Sequence, residues 1–148
     1  MTEFKRSKLP SSNIGEASAE IYIDGASRGN PGSSGLGVLI KHNEGNIHKV
    51  KRFLGIQTNN QAEYEALIAA LNSAKELQLN HLKIRTDSLL LANQINDKWR
   101  VKDAKIAVLH KKAQELIKDF VHVEVKHIPR ELNREADKLA NQAIDEYL

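Results

Sequence analysis

A strand-like run that closes on an acid occurs twice in this chain, with a helical stretch between the two copies. The first is Ile21-Tyr22-Ile23-Asp24, the second His81-Leu82-Lys83-Ile84-Arg85-Thr86-Asp87. Two strands joined through a helix pair in parallel and tend to be neighbours in one sheet. That arrangement puts Asp24 beside Asp87 at the carboxyl edge, where α/β sheets bind their ligands. Gly25, Gly29, Pro31 and Gly32 follow the first acid, so this stretch reads as a glycine-rich loop that can approach a ligand closely.

The other elements follow from periodicity. Leu36–Lys41 and Ile47–Leu54 read as strands joined by the turn His42-Asn43-Glu44-Gly45-Asn46, which implies an antiparallel meander. Asn60 reads as the N-cap of a helix with the inward stripe Leu67, Ala70, Leu71, Ala74 and Leu77. Glu63 extends that stripe by one turn. It is either the acid of a capping box with Asn60 or a core-facing carboxylate in need of a partner. A short helix over Ser88–Ile95 and a longer one over Lys105–Phe120 come next, then a strand over Val121–Ile128 stopped by Pro129. Asn133 is the expected cap of a last helix, with Asp137 in its first turn, where an acid also complements the helix dipole. This order predicts an α/β fold: a five-stranded mixed sheet, three antiparallel strands plus two parallel ones, flanked by helices. Residues 1–18 are expected to be a flexible tail ahead of one domain over 19–148. Trp99 reads as a packing residue. The basic run Lys98, Arg100, Lys102 and Lys105 either solvates a helix face or flanks a phosphate backbone.

Composition narrows the chemistry. The absence of cysteine excludes disulfides and thiolate metal sites and suits a reducing compartment. A net charge of +3 mildly favours a polyanionic partner. The opening residues have no apolar core of a secretory leader, and no apolar run approaches the ~20 residues of a membrane span. A cytoplasmic monomer with no membrane and no protein partner is the expectation.

If strands one and four are neighbours, Glu63 and Asp137 can converge on the edge that carries Asp24 and Asp87. Four acids there would raise one another's pKa unless cations neutralise them. Oxygen-only ligands suit hard ions such as Mg²⁺ or Mn²⁺. Two such ions roughly 4 Å apart form a clamp for in-line attack on a phosphodiester. Glycoside hydrolases also pair carboxylates, but need two and no metal.

Four segments, Asp24-Gly25-Ala26-Ser27-Arg28-Gly29-Asn30-Pro31-Gly32, Thr58-Asn59-Asn60-Gln61-Ala62-Glu63-Tyr64, Thr86-Asp87-Ser88 and Asn133-Arg134-Glu135-Ala136-Asp137-Lys138-Leu139-Ala140-Asn141, stand in the order of the type 1 ribonuclease H family, which the chain resembles from about Glu20 onward. The resemblance implies the ribonuclease H-like fold and hydrolysis of the RNA strand of an RNA–DNA hybrid, leaving 3′-hydroxyl and 5′-phosphate ends. It implies that Asp24, Glu63, Asp87 and Asp137 are catalytic acids holding two Mg²⁺ ions, with Mn²⁺ as an alternative. By the same resemblance, Ser27, Arg28, Gly29, Asn30, Thr58, Asn59, Asn60, Gln61 and Ser88 are substrate-binding positions, Thr58 with Asn30 at a DNA phosphate. Backbone groups of Ser27, Arg28 and Gly29 suit the 2′-hydroxyls that distinguish RNA in a wide minor groove.

The chain also departs from the family pattern. The stretch Ile95 to Lys102 leaves no room for the basic protrusion of many members, Leu89 replaces a polar contact residue of some relatives, and the short opening tail is not expected to form the N-terminal hybrid-binding module of others. For the mobile group that assists proton transfer or product release, Pro129-Arg130-Glu131-Leu132-Asn133 resembles relatives that use arginine, so Arg130 is favoured over His127. A hybrid- or duplex-binding module without catalysis is the alternative function.

Overall fold

The computed structural model describes residues 17–148. Most of the expected tail, residues 1–16, lies outside the described residues. Ala17 and Ser18 belong to the domain instead: the Ala17 carbonyl accepts from Asn80 and His81 N–H, and Ser18 opens the first strand.

The chain runs through strands β1 (Ser18–Gly29), β2 (Gly32–His42) and β3 (Asn46–Gln57), helix α1 (Asn59–Glu76), strand β4 (His81–Thr86), helices α2 (Leu89–Ile95) and α3 (Ala104–Ile117), strand β5 (His122–His127), a 3₁₀ turn (Arg130–Leu132) and helix α4 (Arg134–Tyr147). The sheet order is β3-β2-β1-β4-β5. β1 pairs antiparallel with β2 and parallel with β4; β2–β3 is antiparallel and β4–β5 parallel, as the element order predicted.

One expectation is overturned. Gly25 to Gly29 is not a loop, because β1 continues to Gly29 and stays in register with β2 down to the Gly29–Gly32 pair. β4, in contrast, ends at Thr86, opposite Ile23. Asp24 is thus the first β1 residue with no β4 neighbour, and the acid opens onto a notch in the sheet rather than onto a loop.

Alternation along β1 sends Ile21 and Ile23 into the main core with α1, α2 and α3, while Tyr22 and Asp24 face α4. α1 is buried on nearly all sides, from Ala62 to Ala74, because it lies between the sheet and α3. Two glycines set how closely the helices approach. A Cβ on Gly25 would stand 2.2 Å from the Ala62 carbonyl carbon and 2.3 Å from Glu63 N. One on Gly37, the register partner of Asp24, would stand 2.2 Å from the Ala136 oxygen. Both absences of a side chain bring a helix backbone, and with it an acid, against the same end of β1.

The caps also differ from expectation. Thr58, not Asn60, caps α1: its Oγ1 accepts from Gln61 N at 3.1 Å, and Gln61 Oε1 accepts from Thr58 N at 2.8 Å. Glu63 is therefore released from capping. Asn133 occupies the N-cap position of α4 but makes no side-chain cap bond.

Candidate active site

The notch beyond Thr86 is the floor of a cleft of about 410 Å³ lined by Asp24, Ser27, Asn59, Glu63, Asp87, Ser88, Arg130 and Asp137, together with Gly25, Ala26 and Asn141. Carboxylate oxygens of Asp24, Glu63 and Asp87 all lie within 4.8 Å of one another. Asp137 lines the same cleft, close enough for its charge to act on Asp24. Each acid arrives on a different element: Asp24 on β1, Glu63 on α1, Asp87 just past β4, Asp137 in the first turn of α4.

The electrostatics follow from burial. Asp24 and Glu63 are each only 5% exposed. Burial, then the charges of Glu63, Asp87 and Asp137, push the Asp24 carboxyl up to about 10. Burial also pushes Glu63 up, to about 8, against the Gly25 N–H, which favours its charged form; Asp87 and Asp137 push it further up. Among the described residues, none of the four acids is paired with a basic side chain within salt-bridge distance. An oxygen-only, partly buried set of carboxyl groups that repel one another when ionised suits a hard divalent ion, which would take the place of their protons. Such ions fit these residues.

The remaining expected residues fall in the cleft, in a neighbouring pocket or, for Arg28 and Gly29, in neither. Ser88 caps α2, its Oγ accepting from Leu91 N at 3.1 Å, at the rim of the cleft. Ser27 Oγ donates to the carbonyls of Gln57 and Gly29. Asn30, Thr58, Asn60 and Gln61 line a neighbouring pocket of about 530 Å³ with Asp103, Ala104, Lys105 and Ile106, and Asn30 Oδ1 accepts from Asn59 N at 3.0 Å. The Arg28 guanidinium turns to α4, pairing with Asp145 at 2.7 Å and donating to Asn141 Oδ1 at 3.3 Å. Gly29 ends β1 at positive φ and lines neither space. Arg130 reaches the cleft from the 3₁₀ turn, whereas His127 pairs in register with Thr86, is exposed and does not line it.

Two asparagines at the site, Asn133 and Asn141, have roles that sequence reasoning missed. Asn141 Nδ2 donates to the Asp137 carbonyl at 3.0 Å and to its Oδ1 at 3.3 Å. A signal is present in the chain, since Asn133, Asp137 and Asn141 are spaced by four and share a helix face. Trp99 also differs from its expected packing role. It is 46% exposed and lines a pocket of about 570 Å³ with Asn60, Lys98, Arg100 and Lys102, next to the one that holds Thr58. The segment between α2 and α3 is short, as expected, and is clamped from inside: Tyr64 donates to Gln94 Oε1 at 2.7 Å, and Gln94 Nε2 to the Arg100 carbonyl at 3.2 Å.

Known proteins share this fold and much of this sequence. The family model described as "Reverse transcriptase-like" matches residues 22–143. The chain is 40% identical over 126 residues to the curated ribonuclease HI of Halobacterium salinarum, covering 84% of this chain and 63% of that protein. It spans 35% of the length of curated mycobacterial relatives that it also matches. Among solved structures, ribonuclease H1 of Halobacterium salinarum superposes with a TM-score of 0.84 at 38% identity, over 87% of this chain and 98% of that one. LC11 ribonuclease H1, solved in complex with an RNA/DNA hybrid, superposes with a TM-score of 0.82 at 38% identity, over 87% and 98%.

Proposed function

This chain belongs to the type 1 ribonuclease H family, and from that membership we propose that it is a metal-dependent endonuclease that hydrolyses the RNA strand of RNA–DNA hybrids. The observation that carries the reading is the convergence of Asp24, Glu63 and Asp87 within 4.8 Å, with Asp137 lining the same cleft. The four acids would hold two Mg²⁺ or Mn²⁺ ions, which supply the Lewis acidity that activates a water and stabilises the leaving oxygen, giving 3′-hydroxyl and 5′-phosphate ends.

The chain's own groups divide the rest of the work. Glu63 is held by the Gly25 N–H at the back of the cleft, which fixes one carboxylate without neutralising it. Ser27, Asn59 and Ser88 line the cleft where an RNA strand with its 2′-hydroxyls would lie, and the backbone of Arg28 and Gly29 continues from Ser27 beyond its edge. Thr58 with Asn30, Asn60 and Gln61 borders the adjoining pocket, suited to a phosphate of the DNA strand, with Lys105 on its wall. Lys98, Arg100 and Lys102 extend the same side and stand in for the missing basic protrusion. Arg130, exposed at the cleft mouth, can contact the scissile phosphate or release the product.

No helix of the described residues is long and apolar enough to cross a membrane. A cytoplasmic monomer acting on hybrids completes the proposal. The test is incubation with a hybrid labelled in its RNA strand, with and without Mg²⁺. Cleavage of the RNA strand is expected only with the ion, and Asp24→Asn is expected to lose at least about a thousandfold, some 4 kcal/mol of transition-state stabilisation. Tight hybrid binding without any cleavage would favour a non-catalytic binding module instead.

A further inference from the structure

One buried residue is bonded to the carriers of three acids, to two through its side chain and to the third through its backbone. Asn133 is 1% exposed. Its Nδ2 donates to the Ile23 carbonyl at 2.8 Å, the peptide group that leads into Asp24, and to Asp87 Oδ2 at 3.1 Å. Its own carbonyl accepts from Asp137 N at 3.1 Å, one turn into α4. The amide orientation is set by these contacts, since only the nitrogen can serve two acceptors. Its Oδ1 is left buried with no partner among the described residues. Such an unmet acceptor costs stability. A residue kept only to cap α4 would not carry that cost, and Asn133 does not use its side chain to cap.

We propose that Asn133 is a positioning residue for the metal site: it joins the end of β1, the end of β4 and the start of α4, and it presents Asp87 with one oxygen already hydrogen-bonded. Partners that hold a ligating carboxylate restrict its rotation and lower the cost of ordering it when an ion binds. Asp87 depends on such a partner more than the other acids, because β4 stops at Thr86 and Asp87 stands beyond the sheet. The inference rests on the reading of the four acids as metal ligands.

The test compares wild type with Asn133→Leu, similar in size but without a donor, and Asn133→Ala. Mg²⁺ and Mn²⁺ binding is measured by calorimetry in the absence of nucleic acid, well below the unfolding temperature of each metal-free protein. The expected result is a weakening of ion affinity by about 10- to 100-fold, with the hybrid KM at saturating ion unchanged. A variant that lowers the unfolding temperature yet binds ions like wild type would show a merely structural residue and overturn the proposal. If both variants fail to fold, the side-chain amide resonances of Asn133 in wild type decide it: they should shift as Mg²⁺ is added, and a signal that does not move overturns the proposal. Asp24→Asn serves as the reference. If it too binds ions normally, the metal-ligand reading itself fails; if it loses them while the Asn133 variants do not, only the role of Asn133 fails.

Discussion

The backbone N–H of Gly25 donates to Glu63 Oε1 at 2.9 Å, a buried bond between residues 38 apart in the chain. Glycine is required at this point for space. Any larger residue would drive its Cβ to within 2.2–2.4 Å of the Ala62 and Glu63 backbone. The bond is the seam between β1 and α1, and it holds one acid of the site in place.

Gly25→Ala is therefore expected to cost stability at the upper end of the roughly 1–3 kcal/mol of an overpacked core. The clash is with backbone, which cannot swing aside as a side-chain tip would. Urea unfolding of the metal-free protein measures it, and an unchanged midpoint would contradict the close approach of α1.

The buried acids give the metal-free fold a pH dependence of definite sign. Asp24, ordinarily near 3.8, is pushed up to about 10, and Glu63, ordinarily near 4.5, to about 8. Below about pH 4 the folded and unfolded chains both hold these protons, so the acids cost nothing. As the pH rises, only the unfolded chain releases them, and the metal-free fold loses stability up to about pH 8–10. A divalent ion takes the place of the protons. The rise in unfolding temperature on adding Mg²⁺ should thus be larger at pH 9 than at pH 6. Asp24→Asn should raise metal-free stability at pH 8 by roughly 1–2 kcal/mol and abolish most of the Mg²⁺ effect. A Mg²⁺ effect independent of pH would contradict this account.

Arg130 lines the cleft and His127 does not. Arg130→Ala should lower turnover by about tenfold or more, a loss near 1.4 kcal/mol, while His127→Ala stays within twofold. Single-turnover and steady-state rates on the same hybrid separate chemistry from product release. The opposite ranking would return the role to the histidine.

Lys98 and Lys102 line a pocket with Trp99, next to the one that Thr58 and Lys105 line. Replacing both with Ala should raise the hybrid KM several-fold with kcat little changed. The slope of log affinity against log salt should shallow by about 0.9 for each phosphate that is no longer neutralised. Unaltered salt dependence would leave these lysines as ordinary solvated charges.

Tyr64→Phe leaves Gln94 Oε1 buried without its 2.7 Å donor. The expected cost is about 1–3 kcal/mol, with faster amide exchange over residues 96–103, where the Gln94 bond to the Arg100 carbonyl is the inner tether. Exchange that stays slow there would show that the tether lies elsewhere.

Local order was legible wherever neighbours along the chain decide it. The alternation of β1, the crossover helix and the acid after Thr86 placed Asp24 next to Asp87, and the stripe of α1 pointed Glu63 inward. Capping was misread because two overlapping pairs three residues apart, Thr58 with Gln61 and Asn60 with Glu63, satisfy the same local rule. Tertiary structure broke the tie by giving Glu63 to the Gly25 N–H. Asn133 was misread for a related reason: a short polar side chain before a helix looks like a cap, yet its amide is drawn to Ile23 and Asp87, 110 and 46 residues away. Likewise, the glycines after Asp24 suggested a loop, while pairing with β2 keeps them in the sheet.

By itself, the sequence determined most of the elements, their order and the acids that the fold brings into one cleft, because periodicity, breakers and turn chemistry act over a few residues. Only the tertiary structure decided which donor each buried acid receives and which asparagine serves which carboxylate. Those choices depend on hydrogen bonds closed between distant segments, where packing brings one partner within about 3 Å and leaves another to solvent.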